Sequence, residues 1–298
     1  MGMEESSYLK DNGGVRMKIG ISPSGFARFG EERYAKLRAF GYECVDFDMA
    51  NTEAGFYLLE REDLEKAIAH ERQLAADAGM IFSQVHGPWR WPPSDVSEED
   101  RAERLEKMRR SIRMTAKLGC KNWVVHPIMP FGIDELGTEQ ATQTWEMNVE
   151  FMSKLLEVAR ECDVVICLEN MPMPNFSIGS PEAILRLVET MNDEHFKICL
   201  DTGHVSVFPN LRLGDEVRRL GKKICVLHIH DNRGQRDEHL PPHAGIIDWG
   251  DFVLALREIG FDGVFSLEIG LPVGAPLPEL EDSYRKMHTI AREMIANS

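Results

Sequence analysis

Eight short apolar runs recur along the chain, separated by longer stretches in which apolar residues return every three or four positions. The runs are MKIGIS (17–22), ECVDFD (43–48), MIFSQVH (80–86), NWVVH (122–126), VVICLE (164–169), FKICLD (196–201), ICVLHIH (224–230) and GVFSLE (263–268). Their last residues stand between 26 and 43 positions apart, room for a strand, a crossover helix and the next strand. Each run is β-branched or rich in Cys and Phe and nearly continuous, the pattern of parallel strands buried on both faces.

The intervening stretches predict helices. Leu64, Ala67, Ile68, Leu74, Ala75 and Ala78 share a face, and Gly79 offers a C-terminal stop. Ser97 is placed to cap the next helix, Glu98, Glu99 and Asp100 load its positive end, and Gly119 follows its last turn. Ser180-Pro181-Glu182 opens another, with proline at the first helical position. An exit ending in glycine repeats before several runs (AFGYEC, DAGMIF, KLGCKN, EIGFDG), which favours eight similar units over two dissimilar domains. The expectation is an α/β fold, a single (β/α)8 barrel over residues 17–298. A doubly wound open sheet is the rival, but it usually has fewer strands and a glycine-rich first turn, and no G-x-G-x-x-G follows the first run. Residues 1–16, polar and glycine-containing, read as a disordered leader.

In such a barrel the carboxyl ends of the strands form one face, where groups from different strands meet. Of the ten histidines, His86, His126, His204, His228, His230, His239 and His243 fall at or just beyond the end of an apolar run. Glu169, Asp201 and Glu268 end three more runs. Charged groups closing apolar strands are costly to bury unless paired or metal-bound. Any one of them could be ordinary structure; so many on one face point to a divalent-metal site. Asp46 and Asp48 are read as caps of the following segment and left out.

Period two along LHIHDN puts His228 and His230 on one strand face, so one serves as ligand while the other lines the pocket. Asp201 and His204 are close enough in sequence to reach one centre or bridge two. Asp237 and His239 ride a long loop after the seventh run, and Asp248 is placed to cap the helix starting at Trp249. Mixed carboxylate and imidazole ligands suit Mn2+, Co2+ or Zn2+.

Charge narrows the partners. The formal net charge is −15, from 34 basic and 49 acidic residues, and no basic cluster exceeds Arg109-Arg110 or Lys222-Lys223. Such a surface opposes polyphosphate, so no nucleic-acid partner is expected. No apolar run approaches the length of a membrane span, so no membrane partner is expected either. Six cysteines without a C-x-x-C pair read as buried free thiols of a cytoplasmic protein.

In this order and spacing, VHGPW (85–89), VVHP (124–127), LEN (168–170), LDTGH (200–204), HIHDN (228–232), DEHLPPHAGIIDW (237–249) and SLE (266–268) resemble the xylose isomerase-like barrel superfamily over residues 17 to about 295. That group includes ketose 3-epimerases, inosose-processing enzymes and endonuclease IV. The resemblance to its sugar isomerases and epimerases implies Glu169, Asp201, His228 and Glu268 as metal ligands and His204 as a substrate-pocket residue. The resemblance to endonuclease IV implies further ligands at His86, His126, His204, Asp237 and His239. The usual PG-x-G turn after D-x-H reads Pro242-His243-Ala244-Gly245 here, a departure that bears on the loop's geometry and would bring one more polar group to the pocket.

The reading preferred on these grounds is a metal-dependent isomerase or epimerase of a keto sugar, keto-polyol or derivative. Glu169 and Glu268 would be the catalytic acid/base pair. His204, His86, His126, His230 and Trp89 would contact substrate, and Trp91, Phe29 or Phe208 could add apolar walls. A homo-oligomer is left open. The rivals are a lyase or dehydratase, which shares the first proton abstraction, a multi-zinc phosphodiester hydrolase, and a non-enzymatic binding barrel, which would not need two carboxylates facing one metal.

Overall fold

The computed structural model describes residues 17–89 and 95–296. Eight strands follow the predicted runs: β1 (Lys18–Ile21), β2 (Cys44–Asp48), β3 (Ile81–His86), β4 (Asn122–Val125), β5 (Val165–Glu169), β6 (Phe196–Asp201), β7 (Ile224–His228) and β8 (Val264–Leu267). The helices are α1 (Arg33–Phe40), α2 (Arg61–Asp77), α3 (Glu98–Leu118), α4 (Glu139–Cys162), α5 (Pro181–Met191), α6 (Thr202–Ser206), α7 (Leu213–Leu220), α8 (Trp249–Glu258) and α9 (Leu277–Ala296). Each strand lies parallel to its neighbours in the order β7-β6-β5-β4-β3-β2-β1-β8.

The ring closes just past the end of β7. Ile229 N–H donates to Ser266 O at 2.9 Å, and Glu268 N–H donates to Ile229 O at 3.0 Å. The fold is therefore a (β/α)8 barrel, with one short extra helix, α6, inserted after β6. The expected leader, residues 1–16, lies outside the described residues, as does most of the RWPPSD loop with Trp91.

Local signals account for the helix ends. Ser97 accepts from Asp100 N–H while Asp100 returns a bond to the Ser97 backbone, a capping box that satisfies two otherwise orphan donors. Ser180 and Asp248 cap α5 and α8 by accepting from the N–H of Ala183 and Asp251. The repeated glycine exits are left-handed turns, Gly41 at φ 110°, Gly79 at 66°, Gly119 at 81° and Gly260 at 68°, which a side chain would strain.

The core has two layers. The main one lies between sheet and helices, where Trp123, Phe196, Phe252, Phe265 and Leu37 are fully buried, each contributing on the order of 2 kcal/mol by burial. A smaller cluster, Val124, Cys167, Cys199 and Val226, fills the barrel interior. Two residues further on, along the same strand faces, stand His126, Glu169, Asp201 and His228. An apolar plug thus underlies a polar mouth. All six cysteines are free of disulfides, and Cys44, Cys120, Cys167 and Cys199 are buried. None of the described helices is long and apolar enough to cross a membrane.

Candidate metal centre

Glu169, at the end of β5, is the hub of the mouth. Its side chain is 2% exposed, with one oxygen 2.9 Å from His126 Nε2 and 3.6 Å from His86 Nε2. The other oxygen is 3.2 Å from His228 Nδ1 and 3.5 Å from His204 Nδ1. Glu268, from the end of β8, approaches His228 Nδ1 to 3.0 Å and is more open, its side chain 23% exposed. Donor atoms of Glu169, Asp201, His228 and Glu268 all lie within 4.8 Å of one another, as do those of His86, Glu169 and His228. A second group, His204, His230, Asp237 and His239, meets the same limit.

The strand ends are held in register by the polar residues that follow them. Asn170 exchanges two hydrogen bonds with the backbone of Asp201, at 2.9 and 3.1 Å. Asp201 caps α6 by accepting from His204 N–H at 2.6 Å, which plants the His204 ring over the mouth. Thr202 bridges to both the N–H and the carbonyl of His230. Gly203 is required by packing, since a Cβ there would fall 2.0 Å from the His230 ring.

The loop from β7 to α8 is tied at its root. Leu240 and Asp231 exchange backbone bonds of 2.8 Å. The Asp231 carboxylate accepts from Asn232 N–H at 2.9 Å, Gly245 N–H at 3.0 Å, Ile247 N–H at 3.3 Å and Trp249 Nε1 at 3.1 Å. A Cβ on Gly245 would sit 2.2 Å from that carboxylate, so only glycine permits the approach. This is how the loop keeps its path although its turn reads Pro-His-Ala-Gly. His239 accepts a left-handed φ of 47°, a strain of the kind found where structure over-determines a functional side chain.

Tautomers follow from the fixed partners. The Nδ1–H groups of His86, His204 and His239 donate to the carbonyls of Gly87, Asn170 and Glu268 at 2.9, 2.7 and 3.0 Å. Each Nε2 is thereby turned to the carboxylates, to which it donates when the ring is protonated. Burial resists protonation of His86, but the Glu169 carboxylate beside it outweighs that and raises it to about 9. His204 is raised to about 10 against its burial, by Asp201 and Asp237, and His239 to about 9 against its burial, by Asp237. Burial would raise Glu268, yet the neighbouring His228 lowers it to about 2.

The mouth is a cluster of carboxylates and imidazoles within about hydrogen-bonding distance of one another. Three buried imidazole nitrogens, His126 Nδ1, His228 Nε2 and His230 Nδ1, and a buried oxygen, Asp237 Oδ1, have no hydrogen-bond partner. Orphaned polar atoms at such depth are costly. Those on His230 and Asp237 belong to the second donor group. A donor set of nitrogen and oxygen without thiolate fits Mn2+, Co2+ or Zn2+.

The described residues of the donor groups converge as expected, and two other expected residues are set on other paths. His243 is exposed, its ring 6.3 Å from Trp249, and joins neither donor group, because the turn swings it outward. Trp89 does reach the site, its ring 4.2 Å from His126. Phe29 is core instead of wall, packed 5.9 Å from Tyr284 and 6.2 Å from Phe40. His230 is fully buried and stacks 4.1 Å from His239, within the second group instead of merely lining a pocket. Asp48 does make the turn expected of it, accepting from Ala50 N–H at 2.7 Å. Asp46 does not: it is 1% exposed and points into the barrel, 3.2 Å from His228 Nε2. The register shift between Val45 and Asp46 leaves Ser83 of β3 unpaired and sets Gln84 opposite Asp46. Strand parity alone would have flagged it, two residues after the inward Cys44. Asp231 and Asn170 were in the motifs, but no pattern marked them as struts.

A barrel with a histidine- and carboxylate-lined mouth of this kind defines a class, and the sequence supports it independently. The profile of the family described as xylose isomerase-like TIM barrel matches residues 34–290, and the chain belongs to that family. An uncharacterized protein of Methanocaldococcus jannaschii is 32% identical over 62% of this chain and 63% of its own length, so the match spans under two thirds of that relative. A D-psicose 3-epimerase of Enterocloster bolteae is 27% identical over 85% of this chain and 82% of its own. The crystal structure of a D-tagatose 3-epimerase-like protein superposes with a TM-score of 0.73 at 25% identity, covering 94% of this chain and 98% of that one.

Proposed function

We propose that this protein is a divalent-metal-dependent isomerase or epimerase of a keto sugar, keto-polyol or derivative. The observation that carries the reading is the convergence of Glu169, Asp201, His228 and Glu268, whose donor atoms lie within 4.8 Å of one another. A Mn2+, Co2+ or Zn2+ ion held by these four would supply Lewis-acid polarisation of a substrate carbonyl. Glu169 and Glu268 form the acid/base pair: one takes the proton from the carbon next to the carbonyl, the other returns a proton to it. Their surroundings suit different shares of that work. Glu169 is enclosed by imidazoles, whereas Glu268 stands open to the mouth. Positioned carboxylates of this kind contribute about 10²–10⁴-fold. His204, His86, His126 and His230 offer hydrogen bonds to substrate oxygens, and Trp89 an apolar wall beside His126.

The test is turnover on a panel of keto sugars and inososes with each of the three ions, in wild type, Glu169→Gln and Glu268→Gln. Both amides keep the shape but cannot accept the proton, so both should lose turnover while remaining folded. Unchanged turnover in either variant with metal bound removes that residue from the pair. Elimination of water instead of epimerisation would assign the lyase chemistry that begins with the same step.

A second reading is favoured by one observation, the additional donor group His204, His230, Asp237 and His239 beside the first. With Glu169 between His86, His126 and His228, it gives the mouth capacity for more than one ion, the arrangement used in metal-assisted phosphodiester hydrolysis. The net charge of −15 opposes a duplex. Efficient nicking of an abasic-site duplex at low salt with zinc, lost in His239→Ala, would replace the sugar reading with this one.

A further inference from the structure

His228 is held differently from the other histidines of the mouth. His86, His204 and His239 each give Nδ1–H to a backbone carbonyl and turn Nε2 to the carboxylates. His228 is reversed. Its Nδ1 faces Glu169 at 3.2 Å and Glu268 at 3.0 Å, and its Nε2 approaches a side chain, Asp46 Oδ2, to 3.2 Å without a completed hydrogen bond. Asp46 is itself held: Gln84 Nε2 donates to the same Oδ2 at 2.8 Å and reaches toward Leu227 O at 3.5 Å. Asp46 and Gln84 sit opposite each other in the β2–β3 pairing, so the relay is built from two adjacent strands against a third across the barrel. All three side chains are 1% exposed or less.

An imidazole buried between carboxyl groups on both edges has no preferred tautomer until one edge is committed. If Nδ1 is to serve as a ligand it must be unprotonated, and the proton must then reside on Nε2 with an acceptor beside it. Oδ2 of Asp46, 3.2 Å away, is the carboxylate oxygen placed to accept it, and the Gln84 amide keeps that oxygen from rotating away. We propose that Asp46, steadied by Gln84, is a positioning residue that commits His228 to the Nε2–H tautomer and so presents Nδ1 to the metal. The proposal rests on the metal reading above. It concerns one ligand's orientation and does not depend on which sugar is turned over.

Outer partners of metal-bound histidines are typically worth about 10–100-fold in metal affinity. Co2+ and Zn2+ affinity should be measured by competition with a chelator in wild type, Asp46→Ala and Asp46→Asn. Thermal unfolding of the metal-free proteins runs alongside, to separate folding from binding. Asp46→Ala should bind about 10–100-fold more weakly, and Asp46→Asn, which keeps an acceptor oxygen, should recover most of that loss. A merely structural Asp46 would lower the unfolding temperature and leave the affinity of the folded protein alone. Independently of any folding defect, long-range 15N–1H spectra of Zn2+-loaded wild type should show His228 protonated on Nε2, the signal being assigned by its loss in His228→Asn. Equal affinity in Asp46→Ala, equal losses in Ala and Asn, or a proton on Nδ1 of His228 would each overturn the positioning role. A wild-type protein that binds neither ion would overturn the metal reading and this proposal with it.

Discussion

Asp231→Ala tests whether the loop that carries Asp237 and His239 is held by a single carboxylate. The side chain is fully buried and accepts four hydrogen bonds, from Asn232 N, Gly245 N, Ile247 N and Trp249 Nε1. Gly245 and Ile247 are partly exposed, so water replaces the acceptor for them, but Asn232 and Trp249 are buried. Two buried donors left unsatisfied cost about 1–3 kcal/mol each, so the intact structure would be destabilised by about 2–6 kcal/mol. Part of that is escaped if residues 231–247 loosen locally, although Asn232 Nδ2 to Gly203 O at 2.6 Å, Gly270 N–H to His239 O at 2.9 Å and His239 Nδ1 to Glu268 O at 3.0 Å still tie the loop to the barrel. The expected outcome is therefore mixed. Urea unfolding followed by tryptophan fluorescence shows a loss of at least 2 kcal/mol, and hydrogen exchange at the Trp249 indole and Gly245 amide accelerates well beyond the rest of the barrel. Asp231→Asn rescues little, because its amide group must face two donors. A loss under about 1 kcal/mol with unchanged exchange at Trp249 would refute the reasoning and place the loop's order elsewhere.

Other outcomes follow from the same geometry. Metal at a hundred times its dissociation constant adds about 2.7 kcal/mol to the folded state. For a chain of 298 residues the unfolding entropy near 2.1 cal/mol/K per residue turns this into an upward shift of about 4 °C. Scanning calorimetry with Co2+ against chelator checks it, and no shift with Mn2+, Co2+ or Zn2+ would count against an ion in the mouth. Burial pushes the Cys44 thiol up to about 11 and the Cys120 thiol up to about 12. The sign favours the neutral thiol, so at pH 8 only about one part in a thousand or fewer is thiolate. Mass spectrometry after brief iodoacetamide treatment at pH 8 should find both unlabelled in native protein and labelled in urea. Labelling of either at the rate of a free thiol would contradict its burial.

The sequence by itself determined the barrel, because its signals are local and repeated. A strand buried on both faces must be continuously apolar, and a helix packed on one side must show a three-to-four residue period. The exits of α1, α2, α3 and α8 lead into glycine at φ 66–110° because an ordinary residue is strained there. Parallel strands then have no choice but to send their ends to one face, so Glu169, Asp201, His228 and Glu268 could be placed together before any coordinates. Tertiary structure decided what depends on angles and on atoms far apart in the chain. Closure of the barrel set Asp46, on the inner face of β2, against His228 of β7, across 182 positions, and a register shift put Gln84 opposite it. Neither hydrophobic pattern nor motif encodes such an approach, because it depends on which strand ends face one another across the barrel. The same holds for His243, which a single left-handed turn sends outward at φ 70°, and for Asp231, whose four donors are assembled only when the loop folds back on its root. Which nitrogen of each histidine faces the mouth is likewise a product of neighbours. A carbonyl fixes it for His86, His204 and His239, and a carboxyl group reached through the barrel stands against His228, a choice visible only once every strand is in place.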